Sequence, residues 1–137
     1  MTNHTSPFPG QVIRDVNFGD PTWYEENVGE HRPWVQSPDL GTVVTSEVAD
    51  RDAKWKPATD LHKPVLDLDI PAVLLPSSTE GHFHLYIDKE MSWKSYKKLL
   101  TVLAEVGIIE EGYLRASVAR KYTAVRLPWI KKEVSSD

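Results

Sequence analysis

Prolines and glycines recur through the first 63 residues at intervals too short for a long helix. Because proline fixes φ and removes a backbone hydrogen-bond donor, each one interrupts regular structure. The residues concerned are Pro7, Pro9, Gly10, Gly19, Pro21, Gly29, Pro33, Pro38 and Pro57. This spacing predicts an irregular N-terminal wrap over residues 1–63. Residues 11–16 and 41–45 are its best candidates for short strands, and the polar residues 45–54 predict a loop or a short helix.

Three tryptophans, Trp23, Trp34 and Trp55, lie in this interrupted segment. An isolated aromatic residue in a coil usually pins the coil to a folded body by burying a large apolar area. The alternative is a surface that stacks nucleobases or binds a partner protein. Trp55 is the better stacking candidate because it lies between Lys54 and Lys56, whereas acidic neighbours of Trp23 would repel a phosphate backbone.

Residues 65–70 alternate between apolar and acidic side chains. This alternation predicts a strand that carries Asp67 and Asp69 on one face and leucine and isoleucine on the other. Two carboxylates at this spacing repel each other unless a cation or a basic group lies between them. The alternative is a strand edge whose acids point into water.

A second alternating strand is predicted over residues 82–88, after a polar turn at residues 75–81. One face of this strand carries polar and ionisable side chains and the other carries apolar ones. The polar face holds His82, His84, Tyr86 and Asp88, and the apolar face holds Phe83, Leu85 and Ile87. If this strand pairs with residues 65–69, carboxylates and imidazoles converge on a ligand set that suits Mg²⁺ or Mn²⁺. A structural role for the histidines is the alternative.

These two stretches resemble motifs of a known enzyme superfamily. VLDLDI is similar to the motif of the archaeo-eukaryotic primase superfamily in which apolar residues surround two aspartates. PSSTEGHFHLYI is similar to the Pro-Ser-Gly-Gly-x-His segment of its primase–polymerase branch. The resemblance implies that Asp67 and Asp69 bind catalytic metal, that His84 contacts the phosphates of a nucleotide, and that Ser77 and Ser78 lie in the matching turn. The chain also resembles small proteins encoded by actinobacterial viruses.

The charge of the chain is divided unevenly along its length. The net charge is −4 for the whole chain, and it is about −8 for residues 1–93 and +4 for residues 94–137. Two halves of opposite charge indicate either that the halves attract each other within the fold or that the basic half binds a polyanion. The chain has no cysteine, which excludes disulfides and thiolate metal sites. The start of the sequence has no secretory signal pattern and no apolar run is long enough to span a bilayer, so we expect a cytoplasmic protein, in the host cytoplasm if it is viral.

The clearest helix is predicted over residues 93–106. Ser92 is a suitable N-cap, Gly107 suits the left-handed position after the helix, and apolar residues recur with a helical period between them. Lys94, Lys97 and Lys98 cluster in the first half of the helix, where the helix dipole disfavours cations. They form either a solvated face or a patch that faces phosphate.

The C-terminal part of the chain predicts two further elements. Residues 112–120 fit a short helix or, alternatively, a strand, and residues 121–128 fit a final strand. In the primase resemblance, Arg126 matches the basic residue that follows the acidic motifs; a surface ion pair is its alternative role. Residues 131–137 are expected to form a frayed C-terminal tail.

Together these patterns predict one α+β domain. Residues 1–63 form its irregular wrap and residues 64–130 its core, a small antiparallel or mixed sheet with one long helix packed on it. The order strand–strand–helix–strand is compatible with an RRM-like palm fragment, the fold that the resemblance implies.

The predicted function is binding of nucleotide or single-stranded nucleic acid, with a candidate site for Mg²⁺ or Mn²⁺. A metal-dependent activity like that of a nucleotidyltransferase is a separate hypothesis, which the binding function does not require. The predicted catalytic residues are Asp67, Asp69 and His84, of which the two acids bind the metal. The predicted phosphate-binding residues are Ser77, Ser78, His82, Lys94, Lys97, Lys98 and Arg126. The alternative is a non-enzymatic viral protein that binds and modulates a host protein through its acidic N-terminal half.

Overall fold

A computed structural model describes residues 6–15, 34–35, 38–50 and 57–131 of the chain. The chain divides into two compact units, Met1–Asp67 and Leu68–Asp137. Trp23, Trp55 and the lysines beside Trp55 lie outside the described residues, as does the side chain of Trp34. Their predicted roles in pinning, stacking or partner binding therefore stay predictions, and so does the assignment of both units to one domain.

The first unit contains a four-stranded antiparallel sheet in the order β2-β1-β3-β4. Its strands are β1 (Gln11–Arg14), β2 (Trp34–Val35), β3 (Val43–Ala49) and β4 (Pro57–His62), and a 3₁₀ turn at Pro38–Leu40 precedes β3. The two predicted strands are confirmed. Within the stretch predicted as an irregular wrap, the described residues also form β2 and β4. Residues 45–49 extend β3, where a loop or a short helix was predicted. Pro57 is tolerated because it is the first residue of β4.

Contacts between residues far apart in the sequence hold β1 and β3 together. Val12 and Ile13 of β1 are buried at 0% and 4% exposure. Gln11 is also buried, and its Nε2 donates to the carbonyl oxygens of Thr45 and Lys63 at 3.2 and 3.4 Å. The Thr45 hydroxyl donates to the Val12 carbonyl at 2.8 Å. These contacts add to the strand propensity of the β-branched residues in β1 and β3.

The second unit begins with a β-hairpin of strands β5 (Ala72–Pro76) and β6 (Phe83–Ile87). The predicted second strand is confirmed as β6, but its predicted partner is wrong, because residues 65–70 form no strand. Ala72 pairs with Ile87 and Pro76 with Phe83. A pairing between neighbouring segments closes only a short loop, which makes it entropically cheaper than a longer one.

Helices α1 (Trp93–Glu105) and α2 (Glu111–Arg120) follow the hairpin. The prediction of α1 is confirmed with its cap, because the Ser92 side chain accepts a hydrogen bond from the Ser95 amide at 3.1 Å. Gly107 has φ of +83°, as its place after the helix predicts. Leu100 of α1 is buried. Residues 112–120 belong to a helix, so the strand alternative is wrong.

Residues 123–130, which we call the C-terminal strap, follow α2. The strand predicted over residues 121–128 is wrong, since this stretch joins no sheet in the described part of the chain. Side chains hold the strap instead. The Tyr96 hydroxyl lies 2.7 Å from Thr123 Oγ1, and the Tyr113 hydroxyl donates to the Ala124 carbonyl at 3.3 Å. Tyr96 lies on α1 and Tyr113 on α2, so both helices position the strap.

The described residues thus form an α+β fold, with two small antiparallel sheets and two helices. Within the described ranges, neither helix has the length and apolar character needed to cross a bilayer.

Candidate phosphate-binding pocket

The loop that joins β5 to β6 is closed by its own hydroxyl groups. The Thr79 amide donates to Ser77 Oγ at 2.9 Å, and the Ser77 hydroxyl lies 3.2 Å from the Thr79 carbonyl. The His82 amide donates to the Thr79 carbonyl at 3.1 Å, which closes a β-turn. Gly81 occupies the third position of this turn with φ of +80°, a value that glycine adopts without strain.

Strand register places the polar face of the hairpin. His84 pairs with Leu75 and Tyr86 pairs with Val73, so these four side chains lie on one face. His84 is half-buried, whereas Tyr86 is 39% exposed. The alternation predicted for His84 and Tyr86 is therefore confirmed.

The C-terminal strap approaches this face of the hairpin. Arg126 Nη1 donates to Ser78 Oγ at 3.3 Å, across 48 positions of sequence. The strap makes a tight turn after Arg126, where the Ile130 amide donates to the Leu127 carbonyl at 3.0 Å. One guanidinium thus joins the strap to the hairpin loop.

A pocket of about 130 Å³ lies between the hairpin and the strap. The hairpin contributes Leu75, Pro76, Ser77, Ser78, His84 and Tyr86, and the strap contributes Arg126, Leu127, Pro128 and Ile130. Pockets for drug-sized ligands are typically about 300–1,000 Å³. This pocket therefore accommodates one small group, and the rest of a larger ligand would lie outside it.

The polar groups of the pocket favour an anion. Arg126 supplies a permanent positive charge, Ser77 and Ser78 supply hydroxyl groups, and His84 supplies an imidazole. None of the residues that line the pocket carries a carboxylate. Guanidinium and hydroxyl donors in this arrangement match the oxygens of a phosphate group.

Three of the predicted phosphate-binding residues, Ser77, Ser78 and Arg126, meet in this pocket, together with His84, the nucleotide contact that the resemblance implies. The others do not line it. His82 is exposed at the end of the loop, and Lys94, Lys97 and Lys98 are exposed on α1. The predicted choice for these three lysines, a solvated face or a phosphate-facing patch, stays open.

Asp67 and Asp69 are exposed and lie outside regular structure. The prediction that one strand places both on a common face is wrong, because that strand is absent. Asp67 is the last residue of the first unit, and Asp69 belongs to the second. Across the described ranges, no three histidine or acidic side chains are grouped closely enough to hold a metal ion. Metal binding by these two acids, and catalysis with His84, stay predictions.

Sequence reasoning missed the apolar wall of the pocket. Leu127 and Pro128 belong to a segment predicted as a strand, no element was predicted for Ile130, and Leu75 and Pro76 of β5 were predicted as part of a polar turn. The signal available was the sequence RLPWIKK, in which basic residues flank an aromatic one. Such interleaving is typical of surfaces that bind single strands. Trp129, at its centre, is 72% exposed.

Comparison with known protein families, curated proteins and solved structures found no match to this chain.

Proposed function

We propose that this protein binds nucleotides or single-stranded nucleic acid by holding a phosphate group in the pocket between the hairpin and the strap. The observation that carries the proposal is the pocket lining, which joins Arg126, two serine hydroxyls and His84 and contains no carboxylate. A charged donor in a partly enclosed site forms stronger hydrogen bonds than a neutral one.

The size of the pocket and its surroundings support a ligand that extends beyond its phosphate. About 130 Å³ holds a phosphate group but no nucleoside. The exposed aromatic groups of Tyr86 and Trp129 offer surfaces for a base or sugar outside the pocket. Base stacking on an aromatic side chain contributes roughly 1–3 kcal/mol per base.

The resemblance to primase–polymerases supports the same ligand class. Its implied nucleotide contact, His84, lies in the pocket together with both serines of the matching turn. Within this proposal, the hairpin and α1 correspond to a reduced RRM-like palm. Catalysis is a further step of the proposal, since it requires Asp67 and Asp69 to bind Mg²⁺ or Mn²⁺. Stabilisation of the fold by Mn²⁺ that vanishes in the Asp67→Ala/Asp69→Ala variant would support that step.

Binding is best tested with a fluorescently labelled single-stranded oligonucleotide and Arg126→Gln. Hydrogen bonds to charged groups contribute about 1.5–3 kcal/mol, so we expect Kd to rise roughly 10- to 150-fold. The slope of log affinity against log salt concentration should also fall by about 1.

Arg120→Gln is the matched control, because it removes the same charge from a residue outside the pocket. Arg120 lies over the Tyr122 ring at 5.4 Å. Both variants should retain the circular dichroism spectrum of the parent. Equal losses of affinity in the two variants, or no loss in Arg126→Gln, would contradict the proposal.

A further inference from the structure

The outer edge of β6 is less protected than the outer edge of β5 against pairing with a further strand. Ser77 donates its amide to the His82 carbonyl, and Asp88 donates its amide to the Pro71 carbonyl, both at 2.9 Å. Because hydrogen-bonding directions alternate along an antiparallel strand, the backbone groups of Phe83, Leu85 and Ile87 point away from β5. Of these groups, the Ile87 carbonyl accepts a hydrogen bond from the Lys89 amide at 3.0 Å.

A proline limits backbone hydrogen bonding along the outer edge of β5. The backbone groups of β5 that point outward belong to Ala72, Leu74 and Pro76, and Pro76 has no amide hydrogen. The segment FHLYI of β6 contains no proline, glycine, lysine or acid. Natural sheets use such residues to block edge pairing, and β6 carries none of them.

The side chains beside this open edge are apolar and exposed. Phe83, Leu85 and Ile87 are 60%, 61% and 44% exposed. They share a face with Leu74 of β5, which is 62% exposed. A two-stranded sheet is only marginally stable in water, and additional strands with a common apolar face stabilise it. Among the described residues, β6 pairs with β5 alone.

We propose that β6 pairs antiparallel with β6 of a second copy of this chain, with the two-fold axis at Leu85. This inference is independent of the proposed ligand. The two hairpins then form one four-stranded sheet. Leu85 lies opposite the partner's Leu85, and Phe83 lies opposite the partner's Ile87. The outward amides of Leu85 and Ile87 donate to carbonyls of the second copy.

The same register matches the charged residues at the ends of the strand. His82 lies opposite the partner's Asp88, so each end of the new ladder pairs an imidazole with a carboxylate. Both residues are exposed in the single chain and are free to form this pair. Apolar residues therefore meet apolar residues and opposite polar groups meet each other, which favours a second copy as the occupant of this edge.

The register also relates the two pockets. On the opposite face of the sheet, His84 lies opposite the partner's Tyr86. Since both residues line the pocket of their own chain, the dimer places its two pockets side by side on one face.

Cysteine cross-linking of the full-length protein tests the register, because the chain contains no native cysteine. In Leu85→Cys, the two Cα atoms are expected about 5.5 Å apart across the axis. In Leu74→Cys, the matched control on the same face, they are about 14 Å apart, or three strand spacings. We expect a short bifunctional thiol reagent to link Leu85→Cys into dimers and to leave Leu74→Cys unlinked. Equal linking of both variants would indicate face-to-face association and overturn the proposal.

Sedimentation over a range of protein concentrations gives a second test. The parent protein and Leu74→Lys should form dimers, whereas Leu85→Lys should remain monomeric because a lysine at the axis opposes its own copy. His82→Glu should raise the dimer Kd roughly fivefold through two exposed like-charge contacts, and His82→Glu/Asp88→Lys should restore it. A monomeric parent protein at all concentrations would overturn the proposal.

Discussion

Replacement of Glu47 by glutamine probes the contact that joins β1 to β3 in the first unit. Arg14 Nε donates to Glu47 Oε1 at 2.7 Å, and Arg14 Nη2 donates to Glu47 Oε2 at 2.9 Å. The two side chains are only 12% and 27% exposed. This geometry is the bidentate arrangement in which an arginine–carboxylate pair is strongest.

The structure sets the size of the expected effect. In Glu47→Gln, one carboxylate oxygen becomes an amide NH₂ that faces an arginine donor, and the remaining bond loses its charge. Hydrogen bonds to charged groups contribute about 1.5–3 kcal/mol, and partial exposure reduces the effect. We therefore expect the free energy of unfolding to fall by about 2 kcal/mol. For a folding unit of this size, the corresponding fall in Tm is about 10 °C.

The loss should depend on pH. The hydrogen bond from Arg14 lowers the pKa of Glu47 below its ordinary value of 4.5. The unfolded chain therefore binds this proton more readily than the folded one, so the contribution to stability is fully present above pH 4.5. It is lost as the pH falls through the lower, folded-state pKa. The difference between the parent and Glu47→Gln should be constant near neutral pH and should shrink under acid conditions.

Urea denaturation followed by circular dichroism at several pH values measures this difference. Asp60→Asn is the matched control, because it removes one negative charge from a fully exposed residue of β4 whose contact with His62 spans 3.7 Å. We expect no measurable change in that variant. Equal stability of Glu47→Gln and the parent at neutral pH, or a difference that grows in acid, would show that the ion pair of Arg14 and Glu47 does not stabilise the fold.

Three further substitutions test the packing and the helix cap by thermal denaturation. Ser117 is fully buried on α2 and its hydroxyl has no hydrogen-bond partner among the described residues, so Ser117→Ala should stabilise the protein by about 1 kcal/mol; a lower Tm would contradict this. A Cβ at Gly41 would overlap Ile13 Cγ2 and lie 3.2 Å from the Arg14 carbonyl oxygen. Gly41→Ala should therefore destabilise the first unit by about 1–3 kcal/mol. An unchanged Tm would show that the neighbouring atoms move aside without cost. Ser92→Ala removes the cap of α1 and should cost about 1 kcal/mol, whereas full retention of helix stability would mean that the cap contributes nothing.

The elements predicted well from sequence are those whose signals are local. Helix α1 combines a serine cap, a helical apolar period and Gly107 within a single stretch. Strand β6 carries strict alternation, which places His84 and Tyr86 on one face. In both elements, the residues that determine the secondary structure lie close together in the sequence.

The elements predicted poorly depend on distant partners. Residues 65–70 alternate as a strand should, yet the continuous apolar run of β5 lies nearer to β6 and pairs with it. Residues 45–49 of β3, which were predicted as a loop or a short helix, contact Gln11 and Arg14, more than 30 positions away. The periodicity of a short segment does not indicate such contacts, because the partner residues lie far away in the sequence.

The residues of the candidate site also divide into those with a local sequence signal and those that depend on distant partners. The turn serines and His84 follow from one contiguous motif. Arg126 contacts that motif from the strap, which the hydroxyls of two tyrosines on the helices also contact. A sequence pattern identifies the basic residue, but only the fold shows which hydroxyl it meets.

Phosphate binding in the pocket between the hairpin and the strap can be followed by two-dimensional NMR of the ¹⁵N-labelled protein. The protein is titrated with a nucleoside monophosphate and, separately, with the same nucleoside lacking phosphate. We expect the Ser77, Ser78, His84 and Arg126 amides to shift with the monophosphate and to change little with the nucleoside. Shifts confined to the lysine face of α1, or equal shifts with both compounds, would contradict phosphate binding in this pocket.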